Sequence, residues 1–182
     1  GKSFLKPDKL YYKNGDENDN FTGSSTGGYN AHYDPDNGIL TLNNYNGGQI
    51  TLDGASQNDL TIKLIGDNTV TVNGGSWGIG ASGHQSSITI TADSSSTLTI
   101  NVTSNSGSDS AGIDNCKGSG KSGDVTIKGY ADVKIITTTK RGGYGIYAKN
   151  VAIEDHAKVA TTVNAPDNIG GGLVYGIFAE TN

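Results

Sequence analysis

A Gly-Ile dipeptide recurs four times from residue 78 onward, and its spacing constrains the fold more than any other feature. The four pairs are 34, 33 and 31 residues apart. They are Gly78-Ile79, Gly112-Ile113, Gly145-Ile146 and Gly176-Ile177. Repeats of this period are typical of folds in which each unit must stack on its neighbours to bury an apolar face. The sequence therefore predicts a repetitive architecture.

Two short segments in which apolar and polar residues alternate precede each Gly-Ile pair, and such alternation indicates half-buried strands. The step between them is 10 residues in the first two units and 8 in the last two. We expect the apolar residues of successive units to stack in four columns. These are Leu60, Ile88, Val125 and Val151; Ile62, Ile90, Ile127 and Ile153; Val70, Leu98, Val133 and Val159; and Ile79, Ile113, Ile146 and Ile177.

A shorter unit precedes the four repeats. Leu40-Thr41-Leu42 and Ile50-Thr51-Leu52 lie 10 residues apart, like the strands of the next unit. We interpret them as a first and second strand that lack most of a third side. With three short strands per unit, the chain is expected to be all-β, a right-handed parallel β-helix (solenoid) of about five coils. An antiparallel β-sandwich is the alternative, but it has no reason to repeat Gly-Ile at a fixed period.

The two ends of the chain differ in composition. Residues 1–37 carry six of the chain's 12 Tyr and Phe residues and are interpreted as an aromatic N-terminal cap. The turn sequence Asp34-Pro35-Asp36-Asn37-Gly38 leads into the solenoid, residues 38–182. The chain stops on the third side of a coil, so the solenoid is expected to be truncated there. End-to-end association through this uncapped C-terminal coil is also expected.

Composition excludes two classes of partner. The net charge is −5 and the 13 Lys and Arg residues form no patch, so nucleic acid is not an expected partner. The sequence has no run of 18 apolar residues, so no membrane insertion is expected. The low hydrophobic content, 33%, fits a thin solenoid with one inward column per side.

The outward strand positions carry no pair of carboxylates, which glycoside hydrolysis requires. They are Thr61, Thr89, Thr126 and Ala152 on the first strand, and Thr71, Thr99, Lys134 and Ala160 on the second. The single cysteine, Cys116, has no histidine near it in sequence to act as a base. We therefore expect no enzymatic activity and no cofactor.

Aromatic residues on the third side of the last two coils are the candidate site. If Ile146 and Ile177 point inward, Tyr147 and Phe178 point outward on successive coils, close to the carboxylate of Asp114.

Two more aromatic residues, Tyr144 and Tyr175, precede those isoleucines by two positions and are expected to face inward or to close the corner. Exposed aromatic faces stack on sugars, so this set predicts a carbohydrate-binding surface. The alternative is that the rings only stabilise the solenoid by stacking on one another.

Two other interpretations rest on residue columns and turns. Aspartates at the turns could coordinate calcium, although no calcium-loop motif is present and turn aspartates usually bond their own backbone. They are Asp53, Asp59, Asp67, Asp93, Asp109 and Asp124. A column of outward threonines suggests ice binding but is too short to support it, because it ends at Ala152.

Several segments carry a resemblance to known proteins. They are Tyr33–Leu42, Leu64–Val70, Tyr144–Ala148 and Tyr175–Ala179. With them the chain resembles bacterial β-helix proteins of the pectin-lyase-like superfamily, and more closely the carbohydrate-binding-domain surface proteins of gut and cellulolytic Gram-positive bacteria. It lacks the Gly-His-Gly signature of polygalacturonases, and its only arginine is Arg141.

The resemblance implies a secreted or cell-surface, extracellular protein that binds acidic or cellulosic polysaccharide, in some members with calcium. The expected function is a non-catalytic polysaccharide-binding module. A structural or adhesive segment of a longer surface adhesin, with a host surface protein as its partner, is the alternative.

Overall fold

The structure, a computed structural model, describes residues 11–12, 30–34, 36–52, 59–81, 86–105, 107–116, 122–167 and 170–180. Every regular element in these ranges is a β-strand, so the predicted all-β class is confirmed. The strands are β1 (Tyr11–Tyr12), β2 (Ala31–Asp34), β3 (Ile39–Asn43), β4 (Asn46–Gly47), β5 (Ile50–Leu52), β6 (Leu60–Ile65), β7 (Asp67–Asn73), β8 (Trp77–Ala81), β9 (Ile88–Ser104), β10 (Ser110–Asp114), β11 (Val125–Thr139), β12 (Gly143–Ala148), β13 (Val151–Ile153), β14 (Lys158–Asn164) and β15 (Val174–Ala179). No long apolar helix that could cross a membrane occurs in the described part of the chain.

The strands form two sheets. The larger has 10 strands on the path β1-β2-β3-β6-β9-β11-β13, with β14 beside β11, β7 beside β9 and β4 beside β7. The smaller has five strands in the order β15-β12-β10-β8-β5. All pairings from β3 onward are parallel, whereas β1, β2 and β3 pair antiparallel. Each unit therefore adds one strand to the small sheet before the chain returns to the large one.

Three of the four predicted columns are confirmed by the strand register. The first-strand residues pair as Leu60–Ile88–Val125–Val151, and the next column as Ile62–Ile90–Ile127–Ile153. On the small sheet, Ile79, Ile113, Ile146 and Ile177 lie opposite one another. Period-two alternation on short strands is sufficient to assign these inward residues.

In the fourth column, Leu98, Val133 and Val159 pair as predicted, and only Val70 is wrong, by two residues. Val70 pairs with Ile100, and Asn68 pairs with Leu98. Asn68 is buried because its amide is fully used: Oδ1 accepts from the Tyr45 N–H, and Nδ2 donates to the carbonyls of Ile65, Gly66 and Thr97. An asparagine is typical of an exposed turn, so the alternation pattern does not reveal the true start of the inward column.

The 10-residue step between the first and second strands occurs in only one of the four described units, the second. Gly129 pairs with Ala92 and Ala131 pairs with Ser96, so the exposed residues 93–95 oppose the single residue Tyr130. The first unit has a step of 8 in register, from Leu60 to Asn68. The predicted step of 10 in the first unit is therefore wrong, and a three-residue excursion explains it in the second.

The unit before the four repeats is also organised differently from the prediction. Ile50 pairs with Ile79, so β5 is a third side and not a second strand. The shortened side is the second one, which consists of β4 alone and pairs with β7. Tyr45, which is 1% exposed, fills the interior there, and its bulk replaces the alternating residues of a longer strand.

The predicted turn lies between β2 and β3, near one edge of the large sheet. Asp34 Oδ1 accepts hydrogen bonds from the N–H groups of Asp36 and Asn37, and Gly38 adopts a positive φ of 64°. This turn joins β2 to β3 as a hairpin, so β2 lies along the first parallel strand. Most of the predicted cap, residues 1–37, lies outside the described residues.

The motif requires glycine because neighbouring atoms lie too close to leave room for a Cβ. Gly112 faces the interior, where a Cβ would overlap the Ile135 side chain and lie 2.9 Å from the Gly145 carbonyl oxygen. A Cβ at Gly78 would likewise overlap the Ile100 side chain, and one at Gly145 would overlap the Thr161 side chain. The repeated dipeptide thus consists of two inward residues, a glycine where the two sheets approach each other and an isoleucine that fills the core.

Burial of each column depends on a unit on both sides. Ile113 and Ile127 are 0% exposed, whereas their counterparts in the last unit, Ile177 and Ile153, are 41% and 47% exposed. The residues are the same, and only the neighbouring unit differs.

Candidate functional site

Four aromatic rings lie together on the small sheet, and we call Tyr144, Tyr147, Tyr175 and Phe178 the aromatic platform. Tyr144 stacks on Tyr147 with ring centroids 4.7 Å apart and on Tyr175 at 6.0 Å. Phe178 meets the other three rings at 5.0–5.7 Å in tilted or edge-on geometry. Such offset and edge-to-face pairs are the favoured arrangements of aromatic side chains. The structure therefore brings together all four rings that the sequence singled out.

The platform is on the outer face because of the Gly-Ile pair between its rings. Gly145 and Ile146 both face the interior, so Tyr144 and Tyr147 on either side of them are both turned outward. Strict alternation would have put Tyr144 and Ile146 on one face. Of the two alternatives for Tyr144 and Tyr175, facing inward or closing the corner, the inward orientation is therefore wrong, because two consecutive residues of the motif point into the core.

The rings of the platform pack against one another and are also partly accessible to solvent. Tyr175 is 37% exposed, and Tyr144, Tyr147 and Phe178 are half-buried. A flat ring that is held by its neighbours and still partly exposed loses little conformational entropy when a ligand stacks on it.

Two hydrogen bonds hold the carboxylate of Glu180 at the edge of the platform. The Tyr147 hydroxyl donates to Oε1 at 2.7 Å and the Ser122 hydroxyl donates to Oε2 at 2.6 Å. These donors lower the pKa of Glu180, Ser122 contributing most. Burial, together with the Glu180 carboxylate, raises the pKa of Tyr147, so its phenol stays protonated and remains a donor.

Glu180 and Ser122 were not among the residues predicted from the sequence. Glu180 lies two residues after Phe178, which is the spacing that puts two strand residues on one face. That spacing was the available signal for Glu180. Ser122 is 58 residues away from Glu180 in the chain, and no local pattern links the two.

Besides Glu180, the carboxylates of Asp114 and Asp109 lie close to the platform. Asp114 lies opposite Tyr147 in the strand register, as predicted, and its Oδ1 accepts from the Cys116 N–H. Burial raises the pKa of Tyr144, and the negative charges of Asp109 and Asp114 raise it further. The surface thus combines aromatic faces with hydrogen-bond acceptors and a negative potential.

Cys116 is a nucleophilic side chain beside the platform, close to Tyr147. Burial raises the pKa of the Cys116 thiol to about 11, so it is not a thiolate at neutral pH. No group of three or more His, Cys, Asp or Glu side chains placed to hold a metal occurs among the residues that the structure describes. Of the turn aspartates, Asp53 lies outside those residues.

Replacing Glu180 by glutamine tests the carboxylate at the platform edge. At neutral pH we expect Glu180→Gln to lower the free energy of unfolding by roughly 0.5–1.5 kcal/mol, because two donors lose a charged acceptor that solvent partly screens. Since the folded-state pKa is depressed, this stabilisation is complete above the unfolded pKa of about 4.3 and is lost as the pH falls through the folded value.

The difference between Glu180→Gln and the parent should therefore shrink between about pH 5 and about pH 3 in urea unfolding. Tyr147→Phe removes one of the two donors and serves as the partner in a double-mutant cycle. A difference that stays constant with pH would contradict the ionised, hydrogen-bonded carboxylate.

No protein-family model, curated protein or solved structure matches this chain. The assignment of a function therefore depends on the geometry of the site.

Proposed function

We propose that this chain is a non-catalytic, extracellular polysaccharide-binding module of a bacterial surface protein. Its stacked units are interpreted as a right-handed parallel β-helix of about five coils, since parallel neighbours come from successive repeats in two sheets. The sequence resemblance to pectin-lyase-like surface proteins supports the same interpretation. In this proposal the small sheet carries the ligand on its outer face.

The observation that carries the proposal is the aromatic platform. Its rings form one continuous, partly exposed surface with Glu180 at the rim and Asp114 beside it. A sugar ring binds proteins through its apolar C–H face and its hydroxyl groups, which match aromatic faces and carboxylate acceptors. Tyr144 and Tyr147 have a strand on both sides and are still only half-buried, so the exposure of the platform is not confined to the last unit.

Charge favours neutral over acidic polysaccharides. Asp109, Asp114 and Glu180 are all close enough to platform tyrosines to affect their pKa values or bond to them. A polyuronate brings one negative charge per residue toward this surface and is repelled. Arg141, which pairs with Asp109 at 3.8 Å, offsets only part of that charge. Among the glycans that the resemblance suggests, cellulosic chains fit better than acidic ones.

The absence of a catalytic role is part of the proposal. Hydrolysis with inversion or retention needs one carboxyl group that can act as an acid near neutral pH. The pKa of Glu180 is shifted in the opposite direction, which suits a hydrogen-bond acceptor and not a general acid. The protonated, buried Cys116 is also unsuited to nucleophilic attack.

The test is affinity electrophoresis of the purified chain in gels that contain hydroxyethyl cellulose, xyloglucan or polygalacturonate, each with calcium and with chelator. We expect retardation by a neutral polymer and a roughly tenfold loss of affinity in Tyr175→Ala, the most exposed platform ring. Tyr175→Phe keeps the ring and is expected to retain most of the binding.

Leu173→Ala is the matched control, because Leu173 is 58% exposed, lies two residues before Tyr175 and has no ring. Its affinity should equal that of the parent chain. Equal losses in Leu173→Ala and Tyr175→Ala, or no retardation by any polymer, would overturn the platform as a sugar site. Retardation by polygalacturonate only when calcium is present would instead support the calcium-dependent binding that the resemblance implies.

A structural or host-protein-adhesive rod segment is the second candidate. The observation that favours it is the exposure of Ile153, Val174 and Ile177, two of which belong to columns that are otherwise buried. A second copy of the chain could cover these side chains, and end-to-end association belongs to this alternative. Sedimentation velocity over a range of concentrations distinguishes a monomeric binding module from such an assembly.

A further inference from the structure

A groove separate from the aromatic platform crosses the turns between the first and second strands of three successive units. Its volume is about 520 Å³. The side chains that define its chemistry are Ser95, Tyr130, Asp132, Asp155, His156 and Lys158. The turns lie in the large sheet, whereas the platform belongs to the small one.

Local backbone conformation builds the groove. Gly129 has a φ of 69° and Asp155 a φ of 57°, both in the left-handed region that tight turns use. Asp155 Oδ2 accepts from the Gly129 N–H at 3.2 Å, and the His156 N–H donates to the Gly129 carbonyl at 3.1 Å. These bonds hold the two turns in register, so residues 130 and 156 occupy equivalent places on adjacent units.

The rings of Tyr130 and His156 stack face to face at this place. Their centroids are 4.7 Å apart and their planes differ by 7°. Tyr130 is nevertheless 49% exposed, more than any ring of the platform. A stacked pair orders both rings and leaves their outer faces for a further flat partner.

Polar groups with unused hydrogen-bonding capacity surround the stack. Within the described ranges, the Asp132 carboxylate, the Lys158 ammonium and the Tyr130 hydroxyl make no hydrogen bond or ion pair. Asp155 uses one oxygen for the Gly129 N–H and keeps the other. The excursion at residues 93–95 places Ser95 in the lining of the groove.

We propose that this groove is a second saccharide-binding site, which takes an uncharged pyranose unit of a polysaccharide. The apolar face of the sugar stacks on the Tyr130–His156 pair. Its hydroxyl groups donate to Asp132 and Asp155 and accept from Lys158. Two carboxylates against one ammonium disfavour an anionic sugar or a phosphate. The occupant is therefore a neutral sugar and not a uronate.

The second site does not depend on the platform. The two surfaces share no residue and belong to different sheets, so a substitution in one leaves the other intact. A polymer long enough to contact both would bind more tightly than an oligosaccharide, because the second contact becomes intramolecular. Short oligosaccharides therefore isolate the groove from this avidity effect.

The test is a titration of the isotope-labelled chain with cellohexaose, xylohexaose and mannohexaose, followed by amide chemical shifts. We expect the amides of residues 129–132 and 155–158 to shift with at least one of them at low-millimolar concentration. Tyr130→Ala should weaken this binding by about tenfold, and Asp132→Asn by a few-fold. A charged control, galacturonate oligomer, should leave the same amides unshifted.

Lys128→Ala is the matched control, since Lys128 is exposed on the same strand but does not line the groove. Thermal unfolding of Tyr130→Ala at the parent temperature establishes that the fold is retained. No shift of these amides with any neutral oligosaccharide, or an affinity in Tyr130→Ala within twofold of the parent, would overturn the second site. Shifts confined to 144–147 and 175–180 would likewise overturn it and support the platform alone.

Discussion

Alanine at Ile113 is expected to lower the free energy of unfolding by about 2–5 kcal/mol, the usual cost of a large-to-small change in a closed core. Ile113 is 0% exposed and pairs in register with Ile79 on one side and Ile146 on the other. Stacked units on both sides prevent the cavity from collapsing. Urea unfolding monitored by circular dichroism measures the change.

Ile177→Ala is the matched control, because the chain provides the same residue in the same motif with only one neighbouring unit. Ile177 is 41% exposed, so its truncation removes less buried surface and leaves an open notch instead of a cavity. We expect a cost of about 1 kcal/mol or less. Equal costs at the two positions would contradict the view that burial of each column comes from stacking on both sides.

Valine at Gly112 is expected to destabilise the chain by about 3 kcal/mol or more, at the upper end of overpacking costs. The new Cβ would overlap Ile135, and the Gly145 carbonyl oxygen at 2.9 Å leaves no room on the other side. Because the clash involves backbone as well as a side chain, a rotamer change cannot relieve it. The midpoint of urea unfolding gives the size of the effect.

Gly107→Val is the control for that substitution. Gly107 is exposed in a loop before β10, and no atom lies within 4 Å of the position that a valine Cβ would take there. Its replacement should change stability by less than about 0.5 kcal/mol. A loss at Gly107 comparable with that at Gly112 would mean that chain flexibility, and not close approach, is the reason for glycine in the motif.

The repeat can be recognised in the sequence because its signals are local. Alternation with period two marks inward residues on each short strand, and the recurrence of Gly-Ile aligns one unit with the next. Those two signals are enough to assign three columns in full, from Leu60 to Val151, from Ile62 to Ile153 and from Ile79 to Ile177.

The misplacement of Val70 and the wrong step in the first unit have one cause, a buried position that is polar. Asn68 occupies an inward position because Tyr45, Ile65, Gly66 and Thr97 supply partners for its amide, and these come from three separate segments. Sequence alone cannot distinguish such a residue from an exposed turn asparagine, since the difference is whether its hydrogen bonds are satisfied internally.

The aromatic platform was also predicted only in part from the sequence. The spacing of Tyr144, Tyr147, Tyr175 and Phe178 in the chain is enough to predict four rings on two successive units. Their common outward face depends on Gly145 and Ile146 both turning inward, which reflects crowding between the two sheets.

Short-range periodicity is sufficient to predict the all-β class, the repeating unit and the inward columns, because each of these depends on residues that are close in the chain. Which side chains meet across units became clear only from the folded chain: Glu180 with Ser122 and Tyr147, and Tyr130 with His156. The physical reason is that these contacts depend on turn lengths and on strand register, which are set when the units stack and not within any one of them.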